Sequence, residues 1–142
     1  MAEDYAAQLP DTRAEARLDL GFTVASLTDL PYPDDQFAGV LLWYSIIHTP
    51  PVGQARIFAE VSRVLRPGGR VLVGFQYGEG RRDVSAAYRR FGHEVQLERH
   101  LYTADEVAAR RAAVGLREVQ RLVRRAQGNE RDDQAVLLAE AE

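Results

Sequence analysis

From Phe37 to Ile47 the chain is almost continuously apolar, broken only by Ser45. Such a run lacks the in-and-out alternation of a half-exposed strand, and it predicts a strand covered on both faces inside a parallel sheet. Within Gln54–Leu65, Ile57, Phe58, Val61, Val64 and Leu65 stand at offsets 0, 1, 4, 7 and 8, a single apolar stripe down a helix. Arg66-Pro67-Gly68-Gly69 stops that helix, and the β-prone run Arg70–Phe75 follows directly. Strand, helix and strand joined this closely predict a βαβ unit with a right-handed crossover, with Phe37–Ile47 as the central strand.

Ahead of this unit, residues 1–12 read as a loose lead-in and Asp11–Leu20 as a short helix stopped by Gly21. Phe22–Ala25 reads as a short strand, and Asp29-Leu30-Pro31-Tyr32-Pro33-Asp34-Asp35 as a loop dense in turn residues. Behind the unit, Gly78–Arg90 is polar and Arg-rich. Thr103-Ala104-Asp105-Glu106 then has the spacing of a capping box, opening a helix that closes at Gly115. Leu116–Val123 and Asp133–Ala139, separated by Gly128-Asn129, read as an antiparallel hairpin closing the sheet edge. The expected fold is a single α/β domain over residues 1–142, its sheet mostly parallel with a C-terminal antiparallel hairpin.

A length of 142 residues with 46% hydrophobic content suits one core. The 18 basic and 21 acidic residues sum to a formal charge of -3, which gives no general electrostatic reason to bind nucleic acid or an anionic membrane. A small molecule is the expected partner. Every basic residue is arginine, so local Arg clusters follow from composition. Cysteine is absent, which excludes disulfides, thiolate nucleophiles and Cys-based zinc sites. Neither an export signal nor a membrane-spanning apolar stretch is visible, and the expected location is cytoplasmic.

Three blocks carry a resemblance. Asp29-Leu30-Pro31-Tyr32-Pro33-Asp34-Asp35-Gln36-Phe37, Trp43-Tyr44-Ser45-Ile46-Ile47-His48 and Glu60-Val61-Ser62-Arg63-Val64-Leu65-Arg66-Pro67-Gly68-Gly69 resemble, in order and spacing, class I Rossmann-like S-adenosylmethionine-dependent methyltransferases. In that family the first block leads into the fourth strand, and the last joins the following helix to the fifth. The likeness extends over roughly residues 13–139, including the family's last helix and its terminal hairpin.

The resemblance implies S-adenosylmethionine as cofactor, with Ser26 and Leu27 against the adenine and Trp43, Tyr44 and Ser45 at the carboxyl end of the central strand, where open α/β sheets bind ligands. Ser26 stands where many members carry Asp, and Ala38 where many carry the Asp of "F-D". The family's first two strands, with the G-x-G-x-G loop that brings backbone N–H groups to the cofactor, would precede residue 13. Gly78-Glu79-Gly80 is the one local glycine pattern and lacks the fingerprint spacing.

Large aromatics at a strand end also serve as packing, so Trp43 and Tyr44 carry both readings. His48 is the candidate catalytic residue, as proton acceptor, against a positioning or merely structural role. His93 and His100 lack metal-ligand spacing and read as surface residues, with no metal site expected. Arg81, Arg82, Arg89 and Arg90 read as a solvated loop in the segment where the family places its substrate lid.

Methyl transfer to O, N or C of a small molecule is the expected function, with this chain carrying part of the domain. The alternative is a non-catalytic methyltransferase-like subunit or binding module, or this chain as part of a longer reading. Without the first two strands, the family order 3-2-1-4-5-7-6 leaves the Phe37 strand with an unpaired edge. A homodimer, a partner chain or a direct Phe22–Leu27/Phe37–Trp43 hairpin would cover it.

Overall fold

The computed structural model describes residues 21–86 and 98–142. Its main sheet has four strands: β1 (Phe37–Trp43), β2 (Leu65–Tyr77), β5 (Leu116–Arg124) and β6 (Asp133–Ala141), in the order β1-β2-β6-β5. β1 and β2 are parallel and joined by helix α1 (Pro51–Val64), as the βαβ reading predicts. β6 inserts antiparallel between β2 and β5, so the last four strands of the family order appear as 4-5-7-6. The expected hairpin is present, with β6 inside the sheet and β5 on its edge.

One face of the sheet carries the core. Val71, Val73 and Phe75 of β2 and Ala135, Leu137 and Ala139 of β6 are fully buried against Ile57, Phe58 and Val61 of α1 and Val107 of helix α2 (Ala104–Ala112). The Thr103 capping box forms as read: Thr103 Oγ1 accepts from Glu106 N–H, and Thr103 N–H donates to the Glu106 carboxylate. Gly115, at φ 79°, takes the left-handed turn that ends this segment. Arg111 is fully buried beside Glu118 of β5.

Several boundaries differ from expectation. α1 starts at Pro51, three residues before Gln54, because Pro51 sits at N1, where its fixed φ suits a helix and its missing N–H satisfies no bond. Leu65 belongs to β2 and pairs with Phe37. Arg66-Pro67-Gly68-Gly69 forms an irregular excursion inside β2, across which the register jumps from Phe37↔Leu65 to Gly39↔Arg70. Glycine is required at Gly69: a Cβ there would lie 2.8 Å from Arg66 O and 3.2 Å from Ala38 O.

The strand expected at Phe22–Ala25 does not form. Phe22 is 66% exposed and Val24 59%, and the segment meets its first regular feature in a Ser26↔Asp29 bridge. A lone extended segment has no ladder to satisfy its backbone. The direct hairpin of this segment with β1 is likewise absent; β1 pairs with β2 alone among the described residues.

Among the described residues β1 is therefore an edge strand, and within them the expectation of a central strand covered on both faces is corrected. Val40 and Leu42 turn to the core, whereas Leu41 is 62% and Trp43 53% exposed on the opposite face. The strand stops at Trp43, since Tyr44 adopts φ 54°, outside extended geometry. Ile46 and Ile47 are buried in the loop that follows. A second sheet pairs β3 (Arg81–Asp83) with β4 (Glu98–His100) antiparallel, where the sequence suggests only polar loop. The Asp11–Leu20 helix, Arg89, Arg90 and His93 lie outside the described residues.

The segment before β1 has almost no backbone ladder of its own and is held by side chains of α1. Arg63 Nη1 donates to Tyr32 O (2.7 Å) and Asp34 Oδ1 (3.0 Å), and its Nη2 donates to Leu30 O (3.0 Å). Glu60 pairs with Arg63 through both carboxylate oxygens and accepts the Leu30 N–H at 2.8 Å. Arg56 Nε donates to Thr28 O, and Asp35 N–H to Arg63 O. Contacts at 28–56, 30–60 and 35–63 run in step, so the loop descends along α1 and Ser26 lies toward the helix's N-terminal end.

Hydrogen bonds from Arg63 and then from Leu30 N–H hold the Glu60 carboxyl at about 2, below its ordinary 4.5. A depressed folded-state value stabilises the fold above the unfolded-state value, and that contribution disappears as pH falls through the folded one. Urea titrations should show the native chain losing stability between about pH 4.5 and about pH 2. Glu60→Gln should be less stable at neutral pH and lose less across the same window; parallel pH profiles for the two chains would contradict the clamp.

Candidate functional site

Ser26 and Leu27 occupy the top of the clamped loop. Ser26 is exposed, its Oγ 2.8 Å from Thr28 Oγ1 and accepting from Thr28 N–H at 3.2 Å, a local turn closed by hydroxyls. Leu27 is half-buried and packs against the main core. The turn leaves the Ser26 side chain at the surface and ties its backbone to the helix through Thr28 and Arg56.

Trp43 lies on the sheet face opposite the two helices. Its indole covers Gly74 of the neighbouring strand so closely that a Cβ at Gly74 would stand 2.8 Å from Trp43 Cε3. The Gly74 position thus provides the space that the ring fills. Tyr44 meets Trp43 edge to face, with centroids 5.1 Å apart and planes at 87°. The packing reading of Trp43 is met on one side of the ring, which rests on β2, while half of the side chain is exposed.

Tyr44 is the turning point. Its left-handed backbone is held by its own N–H donating to Gly74 O (2.9 Å) and by its hydroxyl donating to Gln134 Oε1 (2.5 Å). Burial raises the pKa of the phenol, with the Arg124 guanidinium acting in the opposite direction. A bulky residue in this conformation is uncommon and persists only where surrounding contacts determine it. Ser45 follows, exposed, with Oγ 3.4 Å from Trp43 O.

His48 closes the same loop against β4, its Nδ1 3.0 Å from Glu98 O. A carbonyl only accepts, so Nδ1 carries the hydrogen and the ring lone pair falls on Nε2. Burial lowers the His48 pKa, partly countered by the Glu98 contact and reinforced by Arg99 and His100. The ring is therefore neutral near pH 7. The loop is further fixed by His100 N–H donating to Ile47 O (2.7 Å) and by the Tyr102 hydroxyl donating to Thr49 O. Burial pushes the Tyr102 phenol up to about 12. His100, expected at the surface, is half-buried and stacks on Tyr102.

A cleft of about 560 Å³ opens at this end of the sheet between Tyr44, Gln76 at the carboxyl end of β2, Arg99 of β4, and Asp132 and Gln134 where β6 begins. Arg82, expected to be solvated, reaches into the same region and bonds the buried Asp132 carboxylate at 2.7 and 2.9 Å. Gly78-Glu79-Gly80 lies in the connection from β2 to β3. There Gly78 N–H donates to Tyr102 O and Gly80 O accepts from Leu101 N–H, so its backbone serves a turn. Asp132, Gln134 and Arg99 line this cleft, and sequence reasoning did not single them out. The one available signal was Gln134, a polar residue opening the otherwise apolar run Ala135–Ala139.

Comparison with known proteins bears on this arrangement. The family described as a methyltransferase domain matches residues 1–69. The chain is 41% identical over 54 residues to the methyltransferase GfsG of Streptomyces halstedii, covering 38% of this chain and 19% of that protein. Over 54 residues it is 39% identical to the ubiquinone/menaquinone biosynthesis C-methyltransferase UbiE of Rickettsia rickettsii, covering 38% and 21%. These matches span about a fifth of the relatives' length. Among solved structures, a Burkholderia thailandensis 1,6-didemethyltoxoflavin-N1-methyltransferase aligns with a TM-score of 0.71 at 19% identity, over 93% of this chain and 57% of that one. A Methanosarcina mazei S-adenosylmethionine-dependent methyltransferase aligns at 0.67 and 17%, over 84% and 66%. The match to the methyltransferase-domain family ends at Gly69, and beyond it the chain keeps the Rossmann-like fold of these methyltransferase structures.

Proposed function

We propose that the protein carrying these residues transfers a methyl group from S-adenosylmethionine to an oxygen, nitrogen or carbon atom of a small molecule, and that this chain forms the part of the cleft around the carboxyl end of β1. The observation that supports the reading is the clamp of Glu60 and Arg63 on residues 30–35, which ties the segment carrying Ser26 and Leu27 to α1, the helix that follows that strand. The relatives' names support small-molecule methyl acceptors, and the Burkholderia structure contains both such a molecule and S-adenosylhomocysteine.

The residues present fit one side of such a cofactor. Ser26 offers a purine an exposed hydroxyl beside the apolar Leu27, and Trp43, on the other face of the sheet, offers a half-exposed indole at the strand end. The cofactor supplies a methyl group bound to a sulfonium, an electrophile that needs alignment more than acid or base. Tyr44 and Ser45 shape the strand end against which the acceptor is aligned. His48, in the loop after β1 and with its pKa lowered by burial, is our candidate to take the proton that an O–H or N–H acceptor releases.

The outer edge of β1 completes this reading. Among the described residues no strand pairs with this edge, and the exposed Leu41 and Trp43 make it apolar, the kind of edge that recruits another strand. In isolation the chain is expected to meet a second copy through it.

Two measurements test the proposal. Isothermal titration with S-adenosylhomocysteine should give saturable heat from the native chain and about tenfold weaker binding from Trp43→Ala; a folded chain giving no heat would contradict cofactor binding. Light scattering should give a mass above the 15.9 kDa of one chain, restored to a monomer by Leu41→Lys. A monomeric native chain would rule out pairing through β1.

A further inference from the structure

We infer that the sheet face turned away from α1 and α2 packs against the same face of a second copy of this chain, with β1 of each copy lying over β5 of the other. The inference goes beyond methyl transfer and does not rest on it.

Cross-strand partners share one face of a sheet, and so do residues two apart along a strand. On the face away from the helices, the strand register therefore builds rows that run across the sheet. Leu41, Leu72 and Leu138 form one row, with Gln120 at its β5 end, and Trp43, Gly74, Val136 and Leu122 form the next. Toward the start of β1 this pair of rows is bordered by Gly39, Arg70, Glu140 and Arg117, and toward its end by Gln76, Gln134 and Arg124. An apolar band is thus framed by polar rows. Its most open members stand on the outer strands: Leu41 is 62% exposed, Trp43 53% and Leu122 57%. The Trp43 ring fills the space over Gly74 and so levels the band. Contiguous apolar surface rimmed by polar residues marks an interaction site.

The pattern is complementary to itself. A two-fold axis parallel to the strands sets each row over its own counterpart and reverses the strand order, so β1 meets β5 and β2 meets β6. Arg70 then faces the partner's Glu140 while Glu140 faces the partner's Arg70, and Arg117 meets the partner's Gly39, which has no side chain to obstruct it. Trp43 lands on the partner's Leu122, and Leu72 on the partner's Leu138. The exposed apolar groups of the outer strands therefore cover one another. An axis across the strands would instead set Arg117 against the partner's Arg124, like charge on like.

Stacked sheets lie about 10 Å apart, a gap that arginine and glutamate side chains span from opposite sides. Within one copy Glu140 pairs with Arg70 at 3.2 Å and with Arg117 at 3.7 Å, and both arginine side chains are more than half exposed. A guanidinium carries more donors than one carboxylate takes, so Arg70 can serve both copies. Pairing covers the Trp43 indole that the proposed cofactor contact uses. The two therefore exclude each other, and the test is made without cofactor.

Leu122 stands on the strand farthest from the β1 edge, so Leu122→Lys separates packing through the face from pairing through that edge. Light scattering at low ionic strength should give half the native mass for Leu122→Lys. Arg70→Glu alone and Glu140→Arg alone should each halve it too, because each sets like charges against one another across the two copies. An equimolar mixture of Arg70→Glu and Glu140→Arg chains should recover the native mass. Both variants lose the ion pair inside their own sheet, so only contacts between copies can bring the recovery. A monomeric native chain, an unchanged mass for Leu122→Lys, or a mixture that stays at the mass of its components would overturn the inference.

Discussion

The ion pair of Glu60 with Arg63 organises the part of this chain that has no regular structure. Residues 28–35 include two prolines and run beside α1 without joining the sheet, so their backbone groups need partners from elsewhere. Arg63 supplies a planar fork that reaches Leu30, Tyr32 and Asp34 together, and Glu60 returns a bond to Leu30 N–H. Lysine, a point charge without that fork, could not span the three acceptors. Because α1 is itself anchored by Ile57, Phe58 and Val61 in the core, the loop inherits the rigidity of the helix, and Ser26 and Leu27 with it.

The two faces of the sheet differ. One face is closed by α1 and α2. On the other, Leu41 and Trp43 are exposed at the β1 edge, beside the left-handed Tyr44 that ends the strand. The residues that the proposed function uses, Ser26, Trp43 and His48, belong to the segments that flank β1 and follow it. Gly74, with no side chain, lets Trp43 lie flat across β2 while Tyr44 swings toward Gln134.

Much of this was legible in the sequence, for definite reasons. The offsets of Ile57, Phe58, Val61 and Val64 encode a helix face, Thr103 and Glu106 encode a cap, and Gly128-Asn129 between two apolar runs encodes the antiparallel pair. The order of the sheet followed from family resemblance. What misled was the inference from apolar character to neighbours. Phe22–Ala25 and Phe37–Ile47 carry side chains suited to a covered sheet, but residue type cannot show whether a covering strand lies alongside, and both segments are partly exposed. The site was half legible: Tyr44 and His48 were singled out, whereas Arg99, Asp132 and Gln134 come together only through the pairing of β3 with β4 and the insertion of β6.

The claim on which the account most depends is that α1 side chains, through Glu60 and Arg63, hold the loop that carries Ser26 and Leu27. Amide hydrogen exchange at Leu30, in the native chain and in Glu60→Ala, tests it most directly. The account predicts a Leu30 amide protected in the native chain and exchanging at open-loop rates in the variant, while amides shared by β2 and β6 remain protected in both. A Leu30 amide that exchanges freely in the native chain, or equally slowly in both, would contradict it.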